Sequence, residues 1–148
     1  MGCGSGFKLI TYLGEFVTVG FDVPETVEFL RAKYPGREWR AANFEDGDIT
    51  PAPDMVVCPD VIEHVPDPDK LIEFILALRA QYVVLSTPDR NLLYGPGSPW
   101  RFGPPSNHAH LREWSFEEFG TYITRRFTIL DHLITNREQA TQMIFCRP

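Results

Sequence analysis

Short apolar runs alternate along the chain with segments whose apolar residues recur at helical spacing. Four of the runs predict strands, at residues 16–22, 39–42, 55–58 and 82–86. Three helices are predicted, over residues 7–13, from Pro24 to the stop at Pro35 and Gly36, and from Pro66 and Pro68 onward. We expect Gly14 to end the first helix. Because strands alternate with helices, the pattern predicts an α/β fold with a mostly parallel sheet.

The last third of the chain begins with an irregular segment rich in proline and glycine, residues 89–110. A loop of this length inside a compact domain is usually functional or disordered, and it follows the carboxyl end of a predicted strand. Residues 88–114 are therefore predicted to form a substrate lid, with a solvated insertion as the alternative. Ser115 and Glu118 form a capping box for the next helix. Residues 127–134 and 140–146 then predict an antiparallel final strand pair.

Length and composition set limits on the class of protein. A chain of 148 residues predicts one domain, residues 1–148. Lysine and arginine total 14 against 20 acidic residues, and the formal charge of −6 disfavours binding of DNA or long RNA. No apolar stretch approaches the ~18 residues of a membrane span, and no secretory leader pattern opens the chain. The three cysteines lack metal-type spacing, so we expect reduced thiols in a cytoplasmic protein.

A glycine-rich turn opens the chain, where Gly2 to Gly6 read Gly-Cys-Gly-Ser-Gly. Asp22 ends the apolar run that follows, sixteen positions after Gly6. In α/β folds such a turn lets bare backbone approach a nucleoside, and the carboxylate accepts hydrogen bonds from ribose hydroxyls. The glycines recur at every second residue, which differs from the dinucleotide pattern Gly-x-Gly-x-x-Gly, and no P-loop lysine follows. The pattern predicts an adenosine cofactor without a pyrophosphate; a plain tight turn is the alternative.

These residues resemble motif I and the acidic strand end of class I S-adenosylmethionine-dependent methyltransferases. Residues 54–65 resemble the fourth-strand segment of small-molecule methyltransferases, and residues 86–90 and 110–119 resemble a later turn and helix of one subgroup. The resemblance runs from Gly2 to the C-terminus and implies a Rossmann-like fold, S-adenosylmethionine as cofactor and a small-molecule methyl acceptor. The cofactor-binding residues that it implies are Gly2, Gly4, Gly6, Asp22, Val23, Asn43, Phe44 and Asp60. Asn43 stands where the family usually has an aspartate that contacts the adenine.

One departure from the family concerns its first, central strand, which normally precedes the glycine turn. Only Met1 precedes Gly2, so we expect this strand to be missing from the chain. Unpaired backbone groups on its two neighbours would each cost ~1–3 kcal/mol if buried. Either the natural protein starts further upstream, or the neighbouring strands close on each other, or another segment fills the place.

The candidate catalytic residues are His64, Glu63 and His110. Asp60, Glu63 and His64 have i, i+3 and i+4 spacing and would share one face of a helical turn. The ordinary pKa of histidine, ~6.5, suits His64 as a general base, and local packing is the alternative. In plant-type small-RNA 2′-O-methyltransferases and ubiquinone-pathway O-methyltransferases, a similar segment holds a divalent ion. That resemblance implies a metal set of Asp60, Glu63 and His64 with His108 or His110, although we favour a site without metal.

The sequence therefore predicts methyl transfer from S-adenosylmethionine to an oxygen, nitrogen or carbon atom of a small molecule. A first alternative is a non-catalytic or truncated methyltransferase-like module with weak or no cofactor binding. A second is a nicotinamide-dependent oxidoreductase, which the glycine spacing and the lack of a Tyr-x-x-x-Lys pair oppose. The sequence does not determine the acceptor or the oligomeric state.

Overall fold

The computed structural model describes residues 1–41 and 52–148. The chain divides into two compact units, residues 1–46 and residues 47–148. In the described ranges, no helix combines the length and the apolar character needed to cross a membrane.

The first unit contains two helices and two parallel strands. Its elements are α1 (Phe7–Tyr12), β1 (Val19–Asp22), α2 (Pro24–Lys33) and β2 (Glu38–Ala41). Val27 and Leu30 of α2 pack with Trp39 of β2 in a small buried core. Pro24 opens α2 because the first helical turn needs no backbone donor there. This arrangement places Asp22 at the carboxyl end of β1, directly before α2.

The second unit is built on a four-stranded mixed sheet. Its elements are β3 (Met55–Pro59), a 3₁₀ turn (Ile62–His64), α3 (Pro68–Ala77), β4 (Tyr82–Pro88), α4 (Arg90–Leu93), a 3₁₀ turn (Pro99–Arg101), α5 (Phe116–Ile123), β5 (Thr128–Asn136) and β6 (Thr141–Arg147). The strand order is β3-β4-β6-β5, with β3 and β4 parallel and the other pairs antiparallel. The predicted α/β class with an antiparallel final strand pair is confirmed.

Helix starts in the second unit follow the capping residues of the sequence. Asp67 accepts a hydrogen bond from the backbone amide of Asp69 at the start of α3. At the start of α5, Ser115 Oγ accepts from the Glu118 amide at 3.2 Å, and the Glu118 carboxylate accepts from the Ser115 amide at 2.8 Å. Each contact satisfies a backbone donor that has no partner within its helix. The predicted capping box is therefore confirmed.

Several predicted boundaries were wrong by a few residues. The first strand begins at Val19 instead of residue 16, and Phe16 and Val17 are exposed. Helix α1 ends at Tyr12 with Leu13 as its cap, ahead of Gly14. Strand β4 extends to Pro88 because its last residues pair with β6, a contact that propensity alone does not encode. The segment 89–110 contains α4 and a 3₁₀ turn instead of being wholly irregular.

The described residues contain no strand before α1. Within them, β1 pairs with β2 alone and β3 pairs with β4 alone, so neither strand gains a second partner. The Gly2 amide donates a 2.8 Å hydrogen bond to the carbonyl of Phe21 in β1. The glycine turn is thereby attached to the strand that ends in Asp22.

Candidate cofactor and catalytic sites

The three glycines of the opening turn all adopt the left-handed backbone region. Gly2, Gly4 and Gly6 have φ values of 67°, 48° and 75°. Side-chain-bearing residues rarely adopt these angles, so the turn depends on glycine. At Gly6 a Cβ atom would also lie 2.7 Å from Leu30 Cδ2, whereas a Cβ at Gly4 would meet no described residue beyond its chain neighbours within 4 Å. Gly6 is therefore required by packing as well, whereas Gly4 is not required by contacts with the described residues.

The carboxylate of Asp22 holds this turn in place. Its Oδ2 accepts a 2.8 Å hydrogen bond from the Gly4 amide, and its Oδ1 accepts one of 2.8 Å from the Val23 amide. An ionised carboxylate offers about four lone-pair positions, so two backbone contacts leave room for two further donors. Gly2, Gly4, Gly6, Asp22 and Val23 thus lie together.

The other predicted cofactor residues are in different situations. Asn43 and Phe44 lie outside the described residues. Asp60 follows β3, where its Oδ1 accepts a 2.9 Å hydrogen bond from Ser86 Oγ at the end of β4. Asp60 has a φ of 53°, and the 3₁₀ turn begins only at Ile62. The expectation of one helical face shared by Asp60, Glu63 and His64 was therefore wrong, because the left-handed residue interrupts the helical geometry.

Glu63 is a buried carboxyl group, with 1% of its surface exposed. Its Oε2 accepts a 3.1 Å hydrogen bond from Thr87 Oγ1, and its backbone carbonyl accepts one of 2.8 Å from the Leu111 amide. Burial raises the pKa of Glu63, because the charged form loses its hydration. Glu63 therefore links β4 to Leu111, near the C-terminal end of the predicted lid.

His64 has a defined tautomer in its neutral form. Its Nδ1 lies 2.8 Å from the carbonyl oxygen of Ala109. A carbonyl oxygen can only accept, so Nδ1 carries the proton and Nε2 carries the lone pair. The neutral imidazole thus has its unprotonated nitrogen on the side of the ring away from the carbonyl of Ala109.

His110 is held at both ring nitrogens by residues of the same loop. Its Nδ1 lies 2.7 Å from Glu113 Oε1, and its Nε2 lies 2.9 Å from Asn107 Nδ2. The rings of His64 and His110 meet edge to face, with centroids 4.9 Å apart at an angle of 75°. The structure therefore brings the three predicted catalytic residues together.

The same three residues are the candidate metal ligands. One ligand atom each from Glu63, His64 and His110 lies within 4.8 Å of the others. Among the residues described, this is the group found, and it includes neither Asp60 nor His108. Carboxylate and imidazole together suit a divalent ion such as Zn²⁺ or Mn²⁺. His110 can offer a nitrogen only if its hydrogen bond to Asn107 or Glu113 breaks, so the set does not fit a metal as it stands.

The end of the predicted lid is fixed to the body of its unit. Arg112 donates to the carbonyl of Pro66 at 2.6 Å, and the Arg90 amide donates to the carbonyl of Trp114 at 2.9 Å. Before this fixed end, the side chain of Phe102 is 87% exposed. Whether residues 88–114 move over a substrate stays a prediction.

Sequence reasoning missed four residues of this site: Thr87, Tyr94, Asn107 and Glu113. Tyr94 OH lies 3.3 Å from the Glu113 carboxylate and accepts a 3.0 Å hydrogen bond from the Ser106 amide. The available signal was the i, i+3 spacing of His110 and Glu113, which suits a local histidine–carboxylate pair. Thr87 and Tyr94 carried no comparable local pattern.

Comparison with known proteins places the chain in a well-populated fold. A family model described as a methyltransferase domain matches residues 1–132. The methyltransferase domain of bacterial CtHen1 is 22% identical, with a TM-score of 0.67 over 99% of this chain and 87% of that one. None of the curated proteins compared with the chain matches it.

Two further solved structures contain S-adenosylhomocysteine. Magnesium protoporphyrin IX methyltransferase from Synechocystis PCC 6803 is 15% identical, with a TM-score of 0.68 over 99% of this chain and 71% of that one. The Burkholderia thailandensis 1,6-didemethyltoxoflavin N1-methyltransferase is 19% identical, with a TM-score of 0.71 over 99% and 68%. At these identities the likeness shows the fold.

Proposed function

The chain belongs to the methyltransferase-domain family and is an S-adenosylmethionine-dependent methyltransferase of class I, and we propose that its acceptor is a small molecule methylated at oxygen, nitrogen or carbon. Two of the solved structures with this fold are small-molecule methyltransferases. The formal charge of −6 opposes a polynucleotide acceptor, because proteins that bind DNA or RNA need cationic surfaces. Membership of this family also opposes the nicotinamide alternative.

The proposed cofactor site consists of the glycine turn and Asp22, and the hydrogen bond from Gly4 to Asp22 is the observation that carries it. That bond orients the carboxylate beside a turn where, among the described residues, nothing beyond the chain neighbours lies within 4 Å of a Cβ at Gly4. Ribose hydroxyls can donate to the two remaining acceptor positions of Asp22. When bound, S-adenosylmethionine supplies an electrophilic methyl group on a sulfonium.

His64 is the proposed general base. In a direct displacement the acceptor atom forms a bond to the methyl carbon, the carbon–sulfur bond breaks, and S-adenosylhomocysteine leaves. An acceptor that must lose a proton can pass it to Nε2 of His64, whose Nδ1 proton is held by Ala109. Nε2 of His110 is engaged by Asn107, which disfavours His110 in this role. The proposed contribution of Glu63 is to fix the backbone of Leu111 near both rings.

Calorimetry with S-adenosylhomocysteine and NAD tests the cofactor assignment. We expect binding of the methionine-derived ligand and none of NAD, because the turn forms no pyrophosphate cradle. Binding of NAD alone would contradict the proposal. Binding of neither ligand by the folded chain would favour the non-catalytic module instead.

A metal-assisted version of the same reaction is the second candidate. The observation that favours it is the 4.8 Å grouping of Glu63, His64 and His110. A divalent ion would require His110 to give up its hydrogen bond to Asn107 or Glu113, and Glu63 and His64 would supply the other two ligand atoms. The existing hydrogen bonds of His110 weigh against it.

A further inference from the structure

We propose that Glu113 is a positioning residue, whose carboxylate fixes the tautomer and orientation of His110 and, through the adjoining backbone, those of His64. This inference rests on the proposed role of His64 as base. It concerns a side chain that the predicted site did not include, in the second unit.

The tautomer of His110 follows from a chain of directional contacts. The Ala109 amide donates to Asn107 Oδ1 at 3.0 Å, so the amide oxygen of Asn107 is already assigned. Its Nδ2 therefore faces His110 and donates to Nε2 at 2.9 Å, which leaves Nε2 without a proton. Nδ1 of the neutral ring then carries the proton and donates to Glu113 Oε1 at 2.7 Å.

The burial of Glu113 sets it apart from an ordinary surface carboxylate. Only 1% of its side chain is exposed. Burying a carboxylate is unfavourable unless strong hydrogen bonds offset the lost hydration. Oε1 is contacted by His110 and Tyr94, while Oε2 has no hydrogen-bond partner among the described residues. A glutamine of similar shape would cost less to bury, so packing alone does not explain a carboxylate here.

Glu113 acts on His64 indirectly, because it contacts His110, and His110 is bonded along the backbone to Ala109. The carbonyl that fixes Nδ1 of His64 belongs to Ala109, the immediate neighbour of His110. The two rings are also in edge-to-face contact at 4.9 Å. Side chains of Asn107 and Glu113 thus hold the short stretch 107–110 from both ends, and this stretch sets the lone-pair direction of the proposed base.

Imidazole ¹⁵N NMR of the full chain tests the proposal without requiring the acceptor. In wild type at pH about 9, we expect His110 and His64 to be protonated at Nδ1. In Glu113→Ala the Asn107 amide still favours a proton on Nδ1, but that proton loses its acceptor, so the His110 signals should shift toward those of a solvated imidazole and the His64 signals should broaden. Glu113→Gln should restore the wild-type signals, because the amide oxygen can still accept from Nδ1. Glu138→Gln, at an exposed position, is the matched control and should leave both rings unchanged.

Asn107→Ala distinguishes the effect of Asn107 on the His110 ring from that of Glu113. It also keeps the test decisive if Glu113→Ala does not fold. If Glu113 governs the ring, His110 stays protonated at Nδ1 in that variant. A switch to Nε2 in Asn107→Ala, or an unchanged His110 in folded Glu113→Ala, would overturn the proposal. Titration of wild type with S-adenosylhomocysteine is read independently, so a failed cofactor assignment is distinguishable from a failed role of Glu113.

Discussion

The backbone amide of Gly4 donates a 2.8 Å hydrogen bond to Oδ2 of Asp22, eighteen positions further along the chain. The acidic residue that ends β1 therefore shapes the turn that precedes it. In the proposed site the same carboxylate both holds the glycine turn and accepts hydrogen bonds from the ribose hydroxyls. Loss of the side chain would disturb the two functions together.

Asp22→Ala should weaken binding of S-adenosylhomocysteine by ~1.5–3 kcal/mol, because it removes a charged acceptor. Asp22→Asn should lose less, since one amide oxygen can still accept from Gly4. Calorimetry on both variants measures the difference, with circular dichroism to establish that they fold. A folded Asp22→Ala protein with the wild-type dissociation constant would refute the role in the cofactor site.

Gly6→Ala should destabilise the chain by ~1–3 kcal/mol more than Gly4→Ala. Both positions have positive φ, so both variants carry the ~1–2 kcal/mol cost of a left-handed alanine. Only the Cβ at residue 6 overlaps Leu30 and Tyr34, at 2.7 and 2.8 Å. Urea unfolding compares the two.

Gly4→Ala should mainly affect the cofactor, because its Cβ would lie at the proposed cofactor site and meet no described residue beyond its chain neighbours within 4 Å. We expect Gly4→Ala to lose more free energy of S-adenosylhomocysteine binding than free energy of unfolding. Equal stability losses in the two alanine variants would contradict the packing argument for Gly6.

Addition of Mn²⁺ or Zn²⁺ should leave the melting temperature unchanged, since both ring nitrogens of His110 are hydrogen-bonded. A ligand that binds only the native state would raise it by mass action. A rise that His64→Gln abolishes and His108→Gln preserves would instead show that a metal binds at this cluster. The two variants form a matched pair, because His108 lies outside the cluster of candidate ligands.

With an acceptor that must lose a proton, His64→Gln should lower kcat by ~10²–10⁴-fold, the usual contribution of a general base. Its affinity for S-adenosylhomocysteine should stay near that of wild type, because the proposed cofactor contacts come from other residues. Steady-state kinetics and calorimetry give the two values. An unchanged kcat would remove His64 from the mechanism.

Acid should destabilise the second unit through His132. Burial lowers the pKa of His132. Its ring stacks on Phe116 with the ring centroids 3.6 Å apart, and its Nε2 donates a hydrogen bond to Gln142 Oε1. With a depressed folded-state pKa, its contribution to stability is present above the unfolded value of ~6.5 and is lost as pH falls through the folded value. The slope from this group is at most ~1.4 kcal/mol per pH unit.

His132→Gln should therefore flatten the pH dependence of unfolding below pH ~6.5, whatever its effect at neutral pH. Urea midpoints measured between pH ~5 and ~8 provide the comparison. A variant with the same slope as wild type would show that another group is responsible.

The sequence alone determined the α/β class, the order of the strands and of the helices other than α4, and the capping box at Ser115, because periodicity and helix caps are set by residues close together in the chain. The glycine turn was readable for a similar reason, since positive φ angles are tolerated by few other residues. Strand ends were not readable. The extension of β4 to Pro88 depends on pairing with β6, more than fifty positions later.

Tertiary structure alone decided which groups at the candidate site can react. His64 and His110 are equivalent as residue types, yet a carbonyl from Ala109 leaves Nε2 of one ring available while Asn107 occupies Nε2 of the other. The left-handed backbone at Asp60 likewise separates it from a cluster that spacing had assigned to it. Tautomers and ligand sets depend on the direction of donors and acceptors, and that direction is fixed only when distant segments pack.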